Sequence, residues 1–132
     1  MTDVEARSIP SLALAYLGDS VYEVYVRRHL ILSGMTDVNK LHREAVGYVS
    51  AVSQSQFLQA IGGQLTAEER DVVRRGRNAR INTKPQSCGL QDYKRATSLE
   101  ALIGYLYMTG RTGRIEEIMK SIFELSASSR KI

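Results

Sequence analysis

Apolar residues in this chain recur three and four positions apart, and almost nowhere do they alternate with polar ones. Leu14, Leu17, Val21 and Val24 form one such stripe; Leu41, Ala45, Tyr48, Val49, Val52 and Phe57 form another. Helical backbone brings residues three and four apart onto one face, so a stripe of this period can be buried only by a helix. The pattern predicts an all-α helical bundle of five or so helices and no strand.

Punctuation places the expected boundaries. Pro10 and Ser11 open a first helix, and Gly34 closes it near Ser33. A second starts after Asp37, which can cap it, and runs to about Ile61, where Gly62 and Gly63 stop it. Thr66-Ala67-Glu68-Glu69 has the form of a capping box and opens a third, which carries Val72 and Val73 and turns basic at Arg74 and Arg75. From Gly76 to about Tyr93 the period disappears, and a long, functional loop is expected. Helix resumes near Lys94 and runs to about Thr109. A last helix covers Arg114 to Leu125, with the tail 126–132 frayed.

With 132 residues, 43% hydrophobic and 24% charged, the chain has the length and composition of a single soluble domain with a real core. Cys88 is the only cysteine, which excludes an intrachain disulfide and a cysteine-based metal cluster. Together with an acidic start that lacks an apolar run, it points to the cytoplasm. No run of apolar residues is long enough to span a membrane.

Charge is unevenly placed. From Arg70 to Arg95 there are eight bases against two acids, a net +6, while the whole chain carries +4. Arg77, Asn78, Arg80, Asn82, Thr83 and Lys84 mix cations with neutral hydrogen-bonding groups, a combination suited to phosphates and sugars. Taken alone, such a run is more often a solvated loop.

Two carboxylates stand in apolar helical surroundings. Asp19 lies in Leu17-Gly18-Asp19-Ser20-Val21 and Glu100 in Leu99-Glu100-Ala101-Leu102-Ile103-Gly104. An acid in such a setting is costly unless something binds it, and a divalent cation such as magnesium takes carboxylate oxygens. Each acid also has a plainer reading. Asp19 could cap a turn or pair with an arginine, and Glu100 alone reads as a surface residue of an amphipathic helix. Gly18 argues for close backbone approach or open space beside Asp19. Glu23, placed to pair with Arg27 one turn on, is read as structural or supporting rather than as a direct ligand. Thr97, one turn before Glu100, could hold a metal-bound water. His29 and His42 lack metal-ligand spacing and are assigned to packing or surface. Tyr93 is a candidate RNA contact, and the other tyrosines are mostly core or interface.

These segments resemble the two acidic motifs of the ribonuclease III nuclease domain. Leu17-Gly18-Asp19-Ser20-Val21 is similar to its signature, and Glu100-Ala101-Leu102-Ile103-Gly104 to its second motif. With Ala13 to Tyr16, Gly76-Arg77-Asn78-Ala79 and no double-stranded-RNA-binding domain following, the chain resembles the Mini branch of that family. The family's further acids are replaced: Leu12 and Ala15 stand seven and four residues before Asp19, Thr97 three before Glu100, and a glutamine near Gln56 in the second helix.

The resemblance implies a ribonuclease III-like helical fold, a homodimer whose two-fold symmetry suits a duplex, and hydrolysis of double-stranded RNA to 5′-phosphate and 3′-hydroxyl ends. Asp19 and Glu100 would be the catalytic, magnesium-holding pair. Arg77, Asn78, Arg80, Lys84, Lys94 and Arg95 would contact RNA, with Glu23 and Thr97 in supporting positions. It further implies maturation of precursor 23S ribosomal RNA, with a ribosomal protein as a candidate helper. Two alternatives are a non-catalytic module that holds structured RNA, and a helical interaction domain whose basic loop meets an acidic partner or a ribosomal surface.

Overall fold

A helix buried on nearly every side along its C-terminal half organises the molecule. The computed structural model describes residues 1–80 and 89–129. Among them lie seven α-helices: α1 Asp3–Arg7, α2 Ser11–Leu32, α3 Val38–Val49, α4 Ala51–Ile61, α5 Ala67–Arg77, α6 Leu90–Met108 and α7 Thr112–Ser129, with a 3-10 turn at Gly62–Gln64 and no strand. From Ala96 to Leu106 every α6 residue except Glu100 is buried. An all-round apolar helix has to lie inside the others, and α2, α4, α5, α7 and α1 all pack against α6. Leu99, Leu102, Ile103 and Leu106 are fully buried, each contributing about 1.5–3 kcal/mol relative to exposure.

The all-α expectation holds, while several boundaries differ. The single helix expected from Asp37 to Ile61 is broken at Ser50, whose ψ of 150° is extended. Its hydroxyl accepts the Ser53 N–H at 3.2 Å and caps α4. The serine side chain offers the backbone an alternative to the helical bond, so the helix turns a corner although its apolar phase continues.

Gly76 lies inside α5 rather than ending it. A β-carbon there would stand 3.1 Å from the Ser98 α-carbon, so this glycine serves helix packing. Likewise α6 starts at Leu90, four residues before the expected point, and α7 starts at Thr112 and extends to Ser129, past the expected end at Leu125. The short helix α1, not anticipated, is opened by a capping box of Thr2 and Glu5. The expected box at Thr66 and Glu69 is present.

Polar ties hold the outer helices to this core. Arg114 of α7 grips Glu69, which is 4% exposed, through Nε at 2.7 Å and Nη2 at 2.8 Å. Arg111 reaches both carboxylate oxygens of Asp3 at 2.7 Å and Glu68 at 3.0 Å, and the Tyr105 hydroxyl donates to the same Glu68. Charge-assisted forks of this kind fix geometry as well as adding energy.

Candidate active site

Two glycines let α2 and α6 cross with their backbones touching. A β-carbon on Gly18 would sit 1.7 Å from the Glu100 carbonyl oxygen, and one on Gly104 would sit 2.0 Å from that of Leu14. Neither neighbour can yield without moving a helix. Of the two readings of Gly18, the close approach is the one found. Because Gly18 precedes Asp19 and meets Glu100 itself, the crossing sets the two acids side by side. Asp19 stands near enough to Glu100 for its carboxylate to oppose ionisation of the Glu100 carboxyl.

Burial and then the adjoining Asp19 push the Glu100 carboxyl up to about 8; the Gln54 amide works against this, and Glu23 adds a smaller repulsion. Glu100 is the only charged side chain in the buried stretch of α6, and Tyr22, fully buried on α2, lies near enough that its hydroxyl is also held un-ionised, by burial first and by Glu100 second. Tyr22 donates to the Tyr48 carbonyl at 2.7 Å. A second carboxylate beside the buried Glu100 carboxyl, whose ionisation is opposed by burial and by Asp19, makes a place where a divalent cation is favourable. Among the described residues no group of three or more His, Cys, Asp or Glu is arranged to hold a metal ion. Two carboxylates suit magnesium, which keeps several waters and completes its shell with substrate phosphate oxygens.

The supporting positions separate. Glu23 pairs with Arg27 at 3.2 Å, as its spacing predicts. The Thr97 hydroxyl donates to the Tyr93 carbonyl at 2.9 Å. The glutamine at the site is Gln54, not Gln56: Gln54 is 1% exposed and donates through Nε2 to Glu100 Oε2 at 3.4 Å, whereas Gln56 is exposed. Sequence reading missed Gln54 because the register of α4 depends on where Ser50 starts it. His29 stacks on Phe123 with ring centroids 3.8 Å apart, a packing role, and His42 is exposed.

The basic residues divide between two grooves. Arg77 and Arg95 line one of about 310 Å³ with Arg70, Arg74 and Gln59 over Leu58, Leu65 and Val73. With the Gln59 amide turned so that its oxygen faces Arg95, it accepts from Arg95 Nε and Nη1, both at 3.2 Å. Asn78 and Arg80 line a second, of about 450 Å³, with Arg74, Arg75 and the start of α2. Lys94 is half-buried on α6 and lines neither. Lys84, with Asn82, Thr83 and Cys88, lies outside the described residues.

The Ribonuclease III domain family matches residues 12–111, a span that contains both acids and the glycine crossing. The chain belongs to the ribonuclease III family. It is 45% identical over 114 residues to the Mini-ribonuclease 3 of Symbiobacterium thermophilum, covering 86% of this chain and 88% of that one. It is 41% identical over 129 residues to the Mini-ribonuclease 3 of Clostridium tetani, covering 97% and 85%. A crystal structure of a protein from Fusobacterium nucleatum superposes with a TM-score of 0.84 at 30% identity, covering 96% of this chain and 99% of that one. Membership makes this chain an endoribonuclease of the ribonuclease III fold. Among the described residues no helix is long and apolar enough to cross a membrane.

Proposed function

We propose that this ribonuclease III family chain cuts double-stranded RNA in a magnesium-dependent reaction, leaving 5′-phosphate and 3′-hydroxyl ends, in the maturation of precursor 23S ribosomal RNA in the cytoplasm. The observation that carries the reading is the pairing of Asp19 with Glu100 across the glycine crossing of α2 and α6. Asp19 and Glu100 would hold the magnesium, which when bound would polarise water and offset charge on the scissile phosphate. Glu23, whose charge acts on Glu100, and Thr97, one turn before Glu100, are assigned supporting roles. A ribosomal protein presenting the substrate fits the same reading.

Duplex RNA is recognised by its backbone shape, phosphates and 2′-hydroxyls. Arg77 and Arg95 supply one cationic groove and Asn78 and Arg80 the next, with Lys84 and Lys94 assigned to the same RNA contact. A homodimer would present two such sites to two strands. Its interface is assigned to the exposed apolar residues Val24, Ile31, Val38 and Val46 of α2 and α3.

The test compares a labelled RNA duplex with either of its single strands, in magnesium and in chelator. Cleavage of the duplex alone, abolished by chelator and leaving ends that a 5′-phosphate-dependent exonuclease degrades, supports the reading. Duplex binding without cutting supports a non-catalytic module instead. Replacing Arg77 and Arg95 together by alanine is expected to weaken duplex binding about tenfold and to lower the slope of log affinity against log salt by about 1.5 to 2, with the melting temperature kept. Filter binding across a salt series measures both, and an unchanged slope would remove this groove from the RNA contact.

A further inference from the structure

Gln54 is an amide placed where it can orient an acid without adding charge. It is 1% exposed and comes from α4, a third helix beside the crossing of α2 and α6. Its Nε2 is the one side-chain nitrogen that donates to the Glu100 carboxylate among the described residues. The bond is long, at 3.4 Å, against about 2.7–2.9 Å for a strong charge-assisted bond. A bond this slack fixes which way a carboxylate faces but competes weakly with a cation for its oxygens. A glutamate in its place would put a third carboxylate against two that already repel. A methionine would fill the same volume and leave Glu100 with Asp19 alone.

We propose that Gln54 is a positioning residue, whose amide holds the Glu100 carboxylate facing Asp19 so that the two acids take one cation together. The inference rests on the reading of Asp19 and Glu100 as the magnesium site. It gives α4 a part in the chemistry through a side chain that carries no charge.

The experiment uses the full chain with Gln54→Met and Gln54→Glu, and Asp19→Asn as control. Magnesium and, separately, calcium are titrated without RNA while the melting temperature is followed. Steady-state cleavage of duplex RNA is then measured across a magnesium series. Gln54→Met is expected to keep the wild-type helical circular dichroism. It should need about tenfold more cation for half of its thermal shift and lose about tenfold in kcat, with KM for RNA within twofold, the range found when groups orienting metal ligands are removed. Gln54→Glu, which restores an oxygen donor to Glu100's neighbourhood but not the N–H, should gain more from added cation than wild type while remaining impaired in kcat. A Gln54→Met protein with wild-type cation dependence and kcat would overturn the proposal, as would a loss confined to KM. If Asp19→Asn cleaves like wild type, the catalytic reading itself fails; if Asp19→Asn is dead and Gln54→Met is normal, only the positioning role fails.

Discussion

Replacing Gly18 by alanine is expected to cost about 3 kcal/mol or more of stability, the upper end for overpacking a core, and to lower the melting temperature by about 10 °C or more. The added methyl would lie 1.7 Å from a backbone carbonyl oxygen, that of Glu100, so relief requires α2 and α6 to separate. Gly104→Ala should behave alike, its methyl 2.0 Å from the Leu14 oxygen. Gly63→Ala, where nothing lies within 4 Å, serves as the control and should stay within about 0.5 kcal/mol of wild type. Where the Gly18 variant still folds, cleavage should fall about 100-fold, since a misplacement of about 1 Å at a reacting site costs that much. Thermal melts and single-turnover cleavage of the three variants check the account. A Gly18→Ala protein as stable as Gly63→Ala would mean that the helices do not cross in contact.

Glu100→Gln should move activity and stability in opposite directions. Cleavage is expected to fall by about 10³-fold, because the variant loses a charged oxygen donor where transition-state charge is met. Without divalent cation, the same variant should be more stable than wild type at pH 8. Glu100 has a folded-state value of about 8 against 4.5 for the ordinary carboxyl, so the folded chain holds a proton that the unfolded chain releases. The corresponding stability is fully present below about pH 4.5 and is lost as pH rises through about 8. The full shift corresponds to about 5 kcal/mol, and solvent reaching a half-buried site reduces this to about 2 kcal/mol. Denaturant melts in chelator at pH 5 and pH 8 should show wild type losing ground to Glu100→Gln as pH rises, and added magnesium should return much of it. Parallel pH curves for the two proteins would place Glu100 in ordinary solvent.

Much of this was legible in the sequence for identifiable reasons. The period of three and four fixes helices whatever their neighbours, and the Thr66–Glu69 box is a local device complete within four residues. The two acids stood out because burial makes charge expensive, and the glycines beside them carry the reason the backbones can meet. What sequence could not resolve depends on which helix faces which. Gly76 and Gly113 look like breakers but lie within α5 and α7, and at Gly76 only the nearness of Ser98 explains the glycine. Ser50 looks like any polar residue in a helix, yet its hydroxyl starts a new one. That start sets the register of α4 and turns Gln54, rather than Gln56, toward Glu100. One contiguous run of bases becomes two grooves because Arg70, Arg74 and Arg77 meet Arg95 across α5 and α6, while Arg80 and Asn78 meet the start of α2.

Asp19 and Glu100 are proposed to form one catalytic site. Its most direct measurement is cleavage of an RNA duplex labelled on both strands, in magnesium, by the wild-type chain and by Asp19→Asn purified in parallel. Wild type is expected to cut both strands, while Asp19→Asn, with an unaltered circular dichroism spectrum, binds the duplex and cuts neither. An Asp19→Asn protein that cuts at the wild-type rate would contradict the assignment and place the chemistry elsewhere in the fold.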